Sequence, residues 1–111
     1  MRAMICQPMY CRRPDEIAAT REKAIAHLKA KGYEFVNTYF KDGWFDGEAD
    51  ALGVTNKPLF YLSKSLEVMS TCDAVFFCNG WATTRGCVIE YEAAKNYGLK
   101  IITEEDGTWN D

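Results

Sequence analysis

The segment NGWATTRGCVIE, residues 79–90, contains a glycine that leaves a helix face accessible to a ligand and a glutamate on that same face. Gly86 and Glu90 are four residues apart, so in a helix they lie one turn apart on the same face. Glycine has no side chain to block this face, and a ligand can therefore approach the helix backbone closely. A glutamate beside such an opening is a candidate to face a bound ligand. The spacing indicates a ligand site that includes the Glu90 carboxylate.

The residues at the start of this helix are suited to bind an anion. Thr83 or Thr84 is placed to cap the helix, whose first N–H groups favour negative charge. Arg85 adds a positive charge, and Arg12 and Arg13, from an earlier segment, are candidates to converge on the same anion. Together with the flat surface that the neighbouring tryptophan offers to a base or sugar, these residue types predict a nucleoside or nucleotide ligand.

Each of these residues also has an ordinary structural interpretation. A glutamate on an amphipathic helix is most often solvated, and Glu67 and Glu92 are interpreted as surface residues of this kind. Trp81, taken alone, is more typical of a packing residue than of a stacking platform. The arginines are equally compatible with solvated positions. A site is therefore favoured only if the fold brings these residues to one place.

The chain alternates between apolar segments and amphipathic ones. Strands are predicted at 2–9, 33–40, 73–79 and 100–104, and helices at 14–31, 59–71 and 84–97. Residues 41–58 lack periodicity and are predicted to form a long loop, in which Trp44 and Phe45 favour a lid or an oligomer contact. The tail from residue 105 is expected to pack or pair across the domain.

Strands that alternate with helices predict an α/β fold with a parallel sheet. We expect one domain, residues 1–111, with a three-layer flavodoxin-like fold and a four- to five-stranded parallel sheet in the order 2-1-3-4(-5). In this order ligands bind beyond the carboxyl ends of the first and third strands, where the winding reverses. The candidate binding residues at these two ends are Pro8, Met9, Arg12, Arg13, Asn79, Gly80, Trp81, Thr84, Arg85 and Gly86.

Composition narrows the function classes. A net charge of −3 over 111 residues argues against a surface for polymeric nucleic acid. We expect a cytoplasmic protein, because no segment is typical of a membrane span or a signal peptide. The five cysteines include no CxxC pair and are predicted as buried thiols, with Cys6 and Cys78 inside strands. Structural zinc and disulfides are the alternatives, and no cofactor or metal is implied.

A family resemblance follows from the segment DAVFFCNGWATTRGCVIEYEAAKNYGLKII, residues 73–102. It resembles the core of the nucleoside 2-deoxyribosyltransferase-like superfamily and is most similar to a small bacterial and phage branch of unknown function. The matching positions are Asp73, Gly80, Trp81, Thr84, Gly86, Glu90 and Ala94. The segment ICQPMYCRRPDEIAATREKAIAHLKAKGYEFVN, residues 5–37, looks like the matching first strand and helix, which in that family ends its strand in Gly-Pro-Met.

The resemblance implies a role for each candidate catalytic residue. In the characterised transferases and N-hydrolases the glutamate matching Glu90 attacks C1′ of the deoxyribose and displaces the base, and a second base or water resolves the ester. Two assisting acids of those enzymes are replaced here by Ser65 and Thr84. Asp73 or Tyr10 is then the candidate to assist the leaving group. Relatives form oligomers, so a homodimer or larger assembly is expected.

The sequence thus leads to two hypotheses of different classes. The first is an enzyme that cleaves or exchanges the N-glycosidic bond of a small-molecule nucleoside or nucleotide. The second is a nucleotide-binding or regulatory module of the same fold that keeps the pocket without chemistry, which the missing acids favour. A third, a small structural or interaction protein, is suggested only by the Trp44–Phe45 pair and the high aromatic content.

Overall fold

The computed structural model describes residues 1–7, 13–36, 44–105 and 108–110, with side chains as far as residue 104. The strands are β1 Arg2–Cys6, β2 Glu34–Val36, β3 Ala74–Phe77, β4 Lys100–Glu105 and β5 Thr108–Asn110. The helices are α1 Pro14–Ala30, α2 Asp46–Leu52, α3 Lys57–Met69 and α4 Arg85–Asn96, and a 3₁₀ turn spans Trp81–Thr83.

The strands form one sheet in the order β2-β1-β3-β4-β5. β1 pairs in parallel with both β2 and β3, and β3 pairs in parallel with β4. The α/β, flavodoxin-like fold and its 2-1-3-4 order are therefore confirmed. The prediction of a parallel sheet was wrong for the fifth strand, because β5 pairs antiparallel to β4. A connection of two residues between these strands permits only a hairpin, whereas a parallel pairing needs a long crossover.

Helices cover both faces of the sheet and divide the core into two clusters. On one face α1 packs Ala24 and Leu28 against Ile5 and Phe76. On the other face α3 and α4 pack against Met4, Cys6 and Phe77 among others. Every residue of β3 is buried, which explains why its sequence is a continuous apolar run and does not alternate. Because β3 is fixed on both faces, the turn that follows it starts from a rigid support.

The predicted C-terminal ends of helices α1 and α4 are confirmed by their capping geometry. α1 ends in a Schellman motif, in which Tyr33 N–H bonds Leu28 C=O and Gly32 adopts a φ of 85°. α4 ends in the same way, with Leu99 N–H bonded to Ala94 C=O and Gly98 at φ 75°. Glycine is favoured at both positions because other residues are strained at positive φ.

The prediction of a loop without secondary structure over 41–58 was wrong in its middle, since α2 occupies 46–52. This short helix is held by α3: Tyr61 Oη accepts a hydrogen bond from Phe45 N–H at 2.9 Å, and Lys64 Nζ lies 2.6 Å from a Glu48 carboxylate oxygen. Trp44 stacks on Phe45 and stays exposed. The first residues of the predicted loop, 41–43, lie outside the described part of the chain.

Other element limits differ slightly from the predicted ones. α3 begins at Lys57, before the predicted start at 59, because Asn56 caps it by accepting Leu59 N–H at 3.1 Å. β1 ends at Cys6, and residues 8–9 of the predicted first strand and 37–40 of the second lie outside the described residues. Among the helices described, none is long and apolar enough to cross a membrane.

Candidate functional site

The site lies where the order of the sheet reverses, between β1 and β3. The carboxyl ends of these strands are adjacent, since Cys6 pairs in register with Phe77. β1 leads through α1 to β2 on one side, whereas β3 leads through α4 to β4 on the other. The two connections diverge at this edge, which is where open α/β sheets bind ligands.

The turn after β3 is built by Gly80 and the threonines. Gly80 has a φ of 90°, which reverses the chain, and Trp81 N–H then bonds Cys78 C=O at 3.1 Å. Thr83 Oγ1 donates to Gly80 C=O at 2.8 Å and closes the 3₁₀ turn. Thr84 takes the N-cap position of α4 in extended conformation, yet its hydroxyl makes no capping bond. The first N–H groups of α4 are therefore not capped by that hydroxyl.

Glu90 projects from α4 towards the sheet and is only 7% exposed. It shares the inner face of this helix with Cys87 and Ala94, which are also buried. The thiol of Cys6 at the end of β1 and the hydroxyl of Ser65 on α3 are close enough to lower the pKa of its carboxyl. The prediction that Glu90 points inward at the switch point agrees with this position.

Burial dominates the electrostatics of this cluster. It raises the pKa of the Glu90 carboxyl, because desolvation disfavours the charged form, while the hydrogen bonds from Cys6 and Ser65 act in the opposite direction. Burial also raises the pKa of the Cys6 thiol, and the neighbouring Cys87 and Glu90 raise it further. Burial is therefore the largest influence on both groups, and it favours the neutral form of the Glu90 carboxyl and of the Cys6 thiol.

Gly86 has open space beside it among the residues that the structure describes. A Cβ added there would meet none of their heavy atoms within 4 Å, and the backbone is ordinary helix. Neither backbone strain nor crowding by its neighbours accounts for a glycine at this position. A glycine at position 86 would let a ligand reach the helix face that carries Glu90, which is a functional reason for this residue.

Trp81 is first of all a packing residue. Its ring stacks on Tyr91 with centroids 4.4 Å apart and planes 16° apart, and it contacts Phe77 at 5.5 Å. One face of the indole is therefore covered by Tyr91. The predicted wall of the pocket can use only the remaining surface of this ring.

The predicted anion-binding residues are only partly brought together. Arg85 is exposed in the first turn of α4, next to Thr84. The Arg13 guanidinium pairs with Asp15 at 3.2 Å and with Glu16 at 3.4 Å, at the start of its own helix. Four more predicted site residues lie outside the described part of the chain: Pro8, Met9, Tyr10 and Arg12.

The assignment of Asp73 as a catalytic residue is contradicted by its position. Asp73 precedes β3, so it lies at the amino edge of the sheet, whereas Cys6, which affects the pKa of Glu90, is the last residue of β1. Its carboxylate accepts the backbone N–H of Arg2 at 2.8 Å and so ties the starts of β3 and β1 together. A strand that is buried from end to end separates Asp73 from the site.

Sequence reasoning missed several residues that support the site. Glu104, buried on β4, accepts Asn79 N–H at 3.1 Å and fixes the start of the turn. Gln7 donates to Ile17 C=O at 2.7 Å and accepts from Arg21 at 3.2 Å, which fixes the start of the other connection. The alternation of β4, which puts Glu104 on the same face as Ile102, was an available signal for the first of these contacts.

The thiols agree with the prediction as far as they are described. Cys6 and Cys78 are buried inside the core, as expected, and Cys72 and Cys87 are also buried and free. Burial raises the pKa of the Cys78 thiol to about 12. Among the described residues, His, Cys, Asp and Glu side chains form no group of three suited to a metal ion. The predicted exposure of Glu67 and Glu92 is confirmed.

Comparison with known proteins identifies the family but no function. No curated protein and no solved structure matches the chain. The family model of a domain of unknown function, DUF4406, matches residues 13–103. This match includes α1, the turn after β3, Glu90 and nearly all of β4, which is most of the chain. The chain therefore belongs to the DUF4406 family of domains of unknown function.

Proposed function

We propose that the protein cleaves or exchanges the N-glycosidic bond of a small nucleoside or nucleotide, with Glu90 as the nucleophile. The observation that carries the proposal is the placement of Glu90: a buried carboxyl group at the switch point, beside the open face of Gly86. A carboxylate that is desolvated and oriented by neutral donors is suited to attack a sugar carbon. The resemblance to the nucleoside 2-deoxyribosyltransferase-like superfamily supplies the reaction class.

The reaction would proceed in two displacements. A Glu90 carboxylate oxygen bonds to C1′ of the sugar while the N-glycosidic bond breaks, and its electron pair leaves with the base. The base takes up a proton from a donor in the site or from water. Water or a second base then attacks C1′, and the C1′–Glu90 ester bond breaks to regenerate the carboxylate. The first N–H groups of α4, with Arg85, would bind a 5′-phosphate where the substrate carries one.

A second candidate function is a nucleotide-binding module without chemistry. Ser65 contacts Glu90 where the characterised enzymes have an acid, and Asp73 lies at the opposite edge of the sheet. Both observations remove a source of the proton that the leaving base needs. The binding module therefore requires the same pocket but predicts no base release.

One experiment separates the two functions. The protein is incubated with a panel of deoxynucleosides and deoxynucleotides, and free base is measured by chromatography. The enzyme is supported if base is released by the wild type and by Glu92→Gln, an exposed neighbour on the same helix, and not by Glu90→Gln. Thermal stabilisation by a ligand without any base release refutes the enzyme and supports the binding module.

A further inference from the structure

Glu104 is the second of the two charged side chains that the fold buries among the described residues. It is 8% exposed, against 7% for Glu90. On β4 it comes two residues after Ile102, which belongs to the core cluster under α1, so both side chains point to the α1 face of the sheet. Glu90 lies on α4, which packs on the opposite face. The sheet therefore carries a buried carboxyl group on each of its faces.

One oxygen of the Glu104 carboxylate is bound, and its partner places the group at the switch point. Asn79 N–H donates to Oε1 at 3.1 Å. Asn79 is the second residue after β3, so this hydrogen bond holds the carboxylate at the carboxyl edge of the sheet, where the strand order reverses. The second oxygen, Oε2, is bonded to the same carbon and therefore lies at that edge too.

Oε2 has no hydrogen-bond donor within the ranges that the structure describes, and no lysine or arginine of these ranges pairs with the carboxylate. A carboxylate offers about four acceptor positions, and leaving them unfilled in a buried group is unfavourable. Holding one backbone N–H needs only a neutral acceptor, so the anchoring of Asn79 does not explain a charged residue at this position. The second oxygen is suited to a donor that a ligand brings.

We propose that Oε2 of Glu104 accepts a hydrogen bond from the ligand, which makes Glu104 a specificity-determining residue. The group that it recognises is a neutral N–H or O–H donor, on the base or on the sugar. A ligand with a lone pair at this point is disfavoured, because two acceptors repel each other and the buried carboxylate stays unpaired. The inference rests on the proposed function for the class of ligand, a small nucleoside or nucleotide.

The test uses the shape of Glu104→Gln. The amide oxygen of this variant can keep the hydrogen bond from Asn79, more weakly than a carboxylate, and its NH₂ group then takes the place of Oε2. The variant thus presents a donor to the ligand where the wild type presents an acceptor, while the turn stays anchored. Glu92→Gln, the same change at an exposed position, is the control.

Binding is measured by calorimetry for the four deoxynucleosides, as such and as 5′-phosphates, and for two analogues of each. One analogue lacks the N–H donors of the base, and the other lacks the 3′-hydroxyl. For the wild type and Glu92→Gln we expect one of the two analogues to bind about tenfold more weakly than its parent, the usual effect of losing a hydrogen bond to a charged group. Glu104→Gln should lose this preference. The analogue that is affected identifies the donor as base or sugar.

The outcomes separate this inference from the proposed reaction. A preference that Glu104→Gln loses, without base release by the wild type, supports the inference and refutes the cleavage. Base release with the same preference in the wild type and Glu104→Gln overturns the inference and leaves the cleavage standing. If none of these compounds binds to the wild type, both are overturned.

A measurement on the wild type covers the case in which Glu104→Gln does not fold. The carboxyl carbon of Glu104 is assigned by NMR through the bonds to its own backbone. At saturation the parent compound should move this resonance further than the analogue without the donor, and the carboxyl carbon of Glu92 should stay in place with both. A Glu104 resonance that responds equally to parent and analogue, or to neither, overturns the proposal.

Discussion

Replacing Trp81 by alanine distinguishes a packing residue from a base-stacking platform. The substitution removes the stack on Tyr91 at 4.4 Å and the contact with Phe77 at 5.5 Å. Truncating a fully buried aromatic residue costs about 3–5 kcal/mol, and Trp81 is only partly buried, so we expect a loss of about 2–3 kcal/mol. The two ring pairs account for about 1–3 kcal/mol of that loss.

The assay is equilibrium unfolding in urea. With a slope of about 2 kcal/mol per molar, typical of small domains, the expected loss lowers the midpoint by about 1–1.5 M. Trp81→Phe keeps an aromatic ring against Tyr91 and should lose about half as much or less. Tyr97→Ala is the matched control, because this aromatic residue directly follows α4 and is 86% exposed, and its midpoint should not move.

The result that refutes this reasoning is a Trp81→Ala variant as stable as the wild type. If such a variant also loses affinity for nucleotides, the indole acts mainly on the ligand, and the contact with Tyr91 contributes little. If affinity falls only in proportion to the loss of folded protein, Trp81 is a packing residue and the ligand wall must be sought elsewhere in the crevice.

Three further predictions concern the carboxylates and the glycine of the site. Burial raises the pKa of Glu90 in the folded state above its value in the unfolded state, so the wild type loses stability as pH rises between these two pKa values. The free energy of unfolding of Glu90→Gln should therefore increase with pH relative to that of the wild type over this range. A difference between the two proteins that does not depend on pH would contradict this prediction. Glu104→Gln should lower the free energy of unfolding by about 1 kcal/mol and speed hydrogen exchange at Asn79 N–H; unchanged exchange would exclude Glu104 as the anchor of the turn. Gly86→Ala should raise the free energy of unfolding by about 0.5–1 kcal/mol and weaken nucleotide binding, and unchanged affinity would remove Gly86 from the site.

The fold was largely predictable because its signals are local. Capping residues and apolar periodicity define α1, α4 and the central strands, and alternation alone then restricts the sheet to a parallel order. The Asp106–Gly107 dipeptide is typical of a two-residue hairpin and was the available signal for an antiparallel fifth strand. α2 was not predictable from periodicity, because it has one buried residue, Ala49, and is held by contacts with α3.

The site was predictable in location but not in composition. The switch-point rule and the Gly86–Glu90 spacing depend on sequence order alone, and Glu90 is buried on α4, the helix that follows the turn after β3. Its partners, Cys6 and Ser65, are far away in the sequence and became its neighbours only through the packing of three elements. Asp73 was named as a substitute for the missing acids, although a residue that directly precedes a strand lies at the amino edge of a parallel sheet, away from the switch point.

The nature of these partners has a chemical consequence for any reaction at Glu90. A neighbouring acid would raise the pKa of this buried carboxyl further and share its proton, whereas a thiol and a hydroxyl stabilise the anion without competing for that proton. For Glu90, burial is the larger effect and raises the pKa of the carboxyl, while Cys6 and Ser65 act in the opposite direction. Of the two residues predicted to assist the leaving base, Asp73 lies at the amino edge of the sheet, where its carboxylate accepts the backbone N–H of Arg2, and Tyr10 lies outside the described residues. The source of the proton for the leaving base in the proposed reaction therefore stays a prediction.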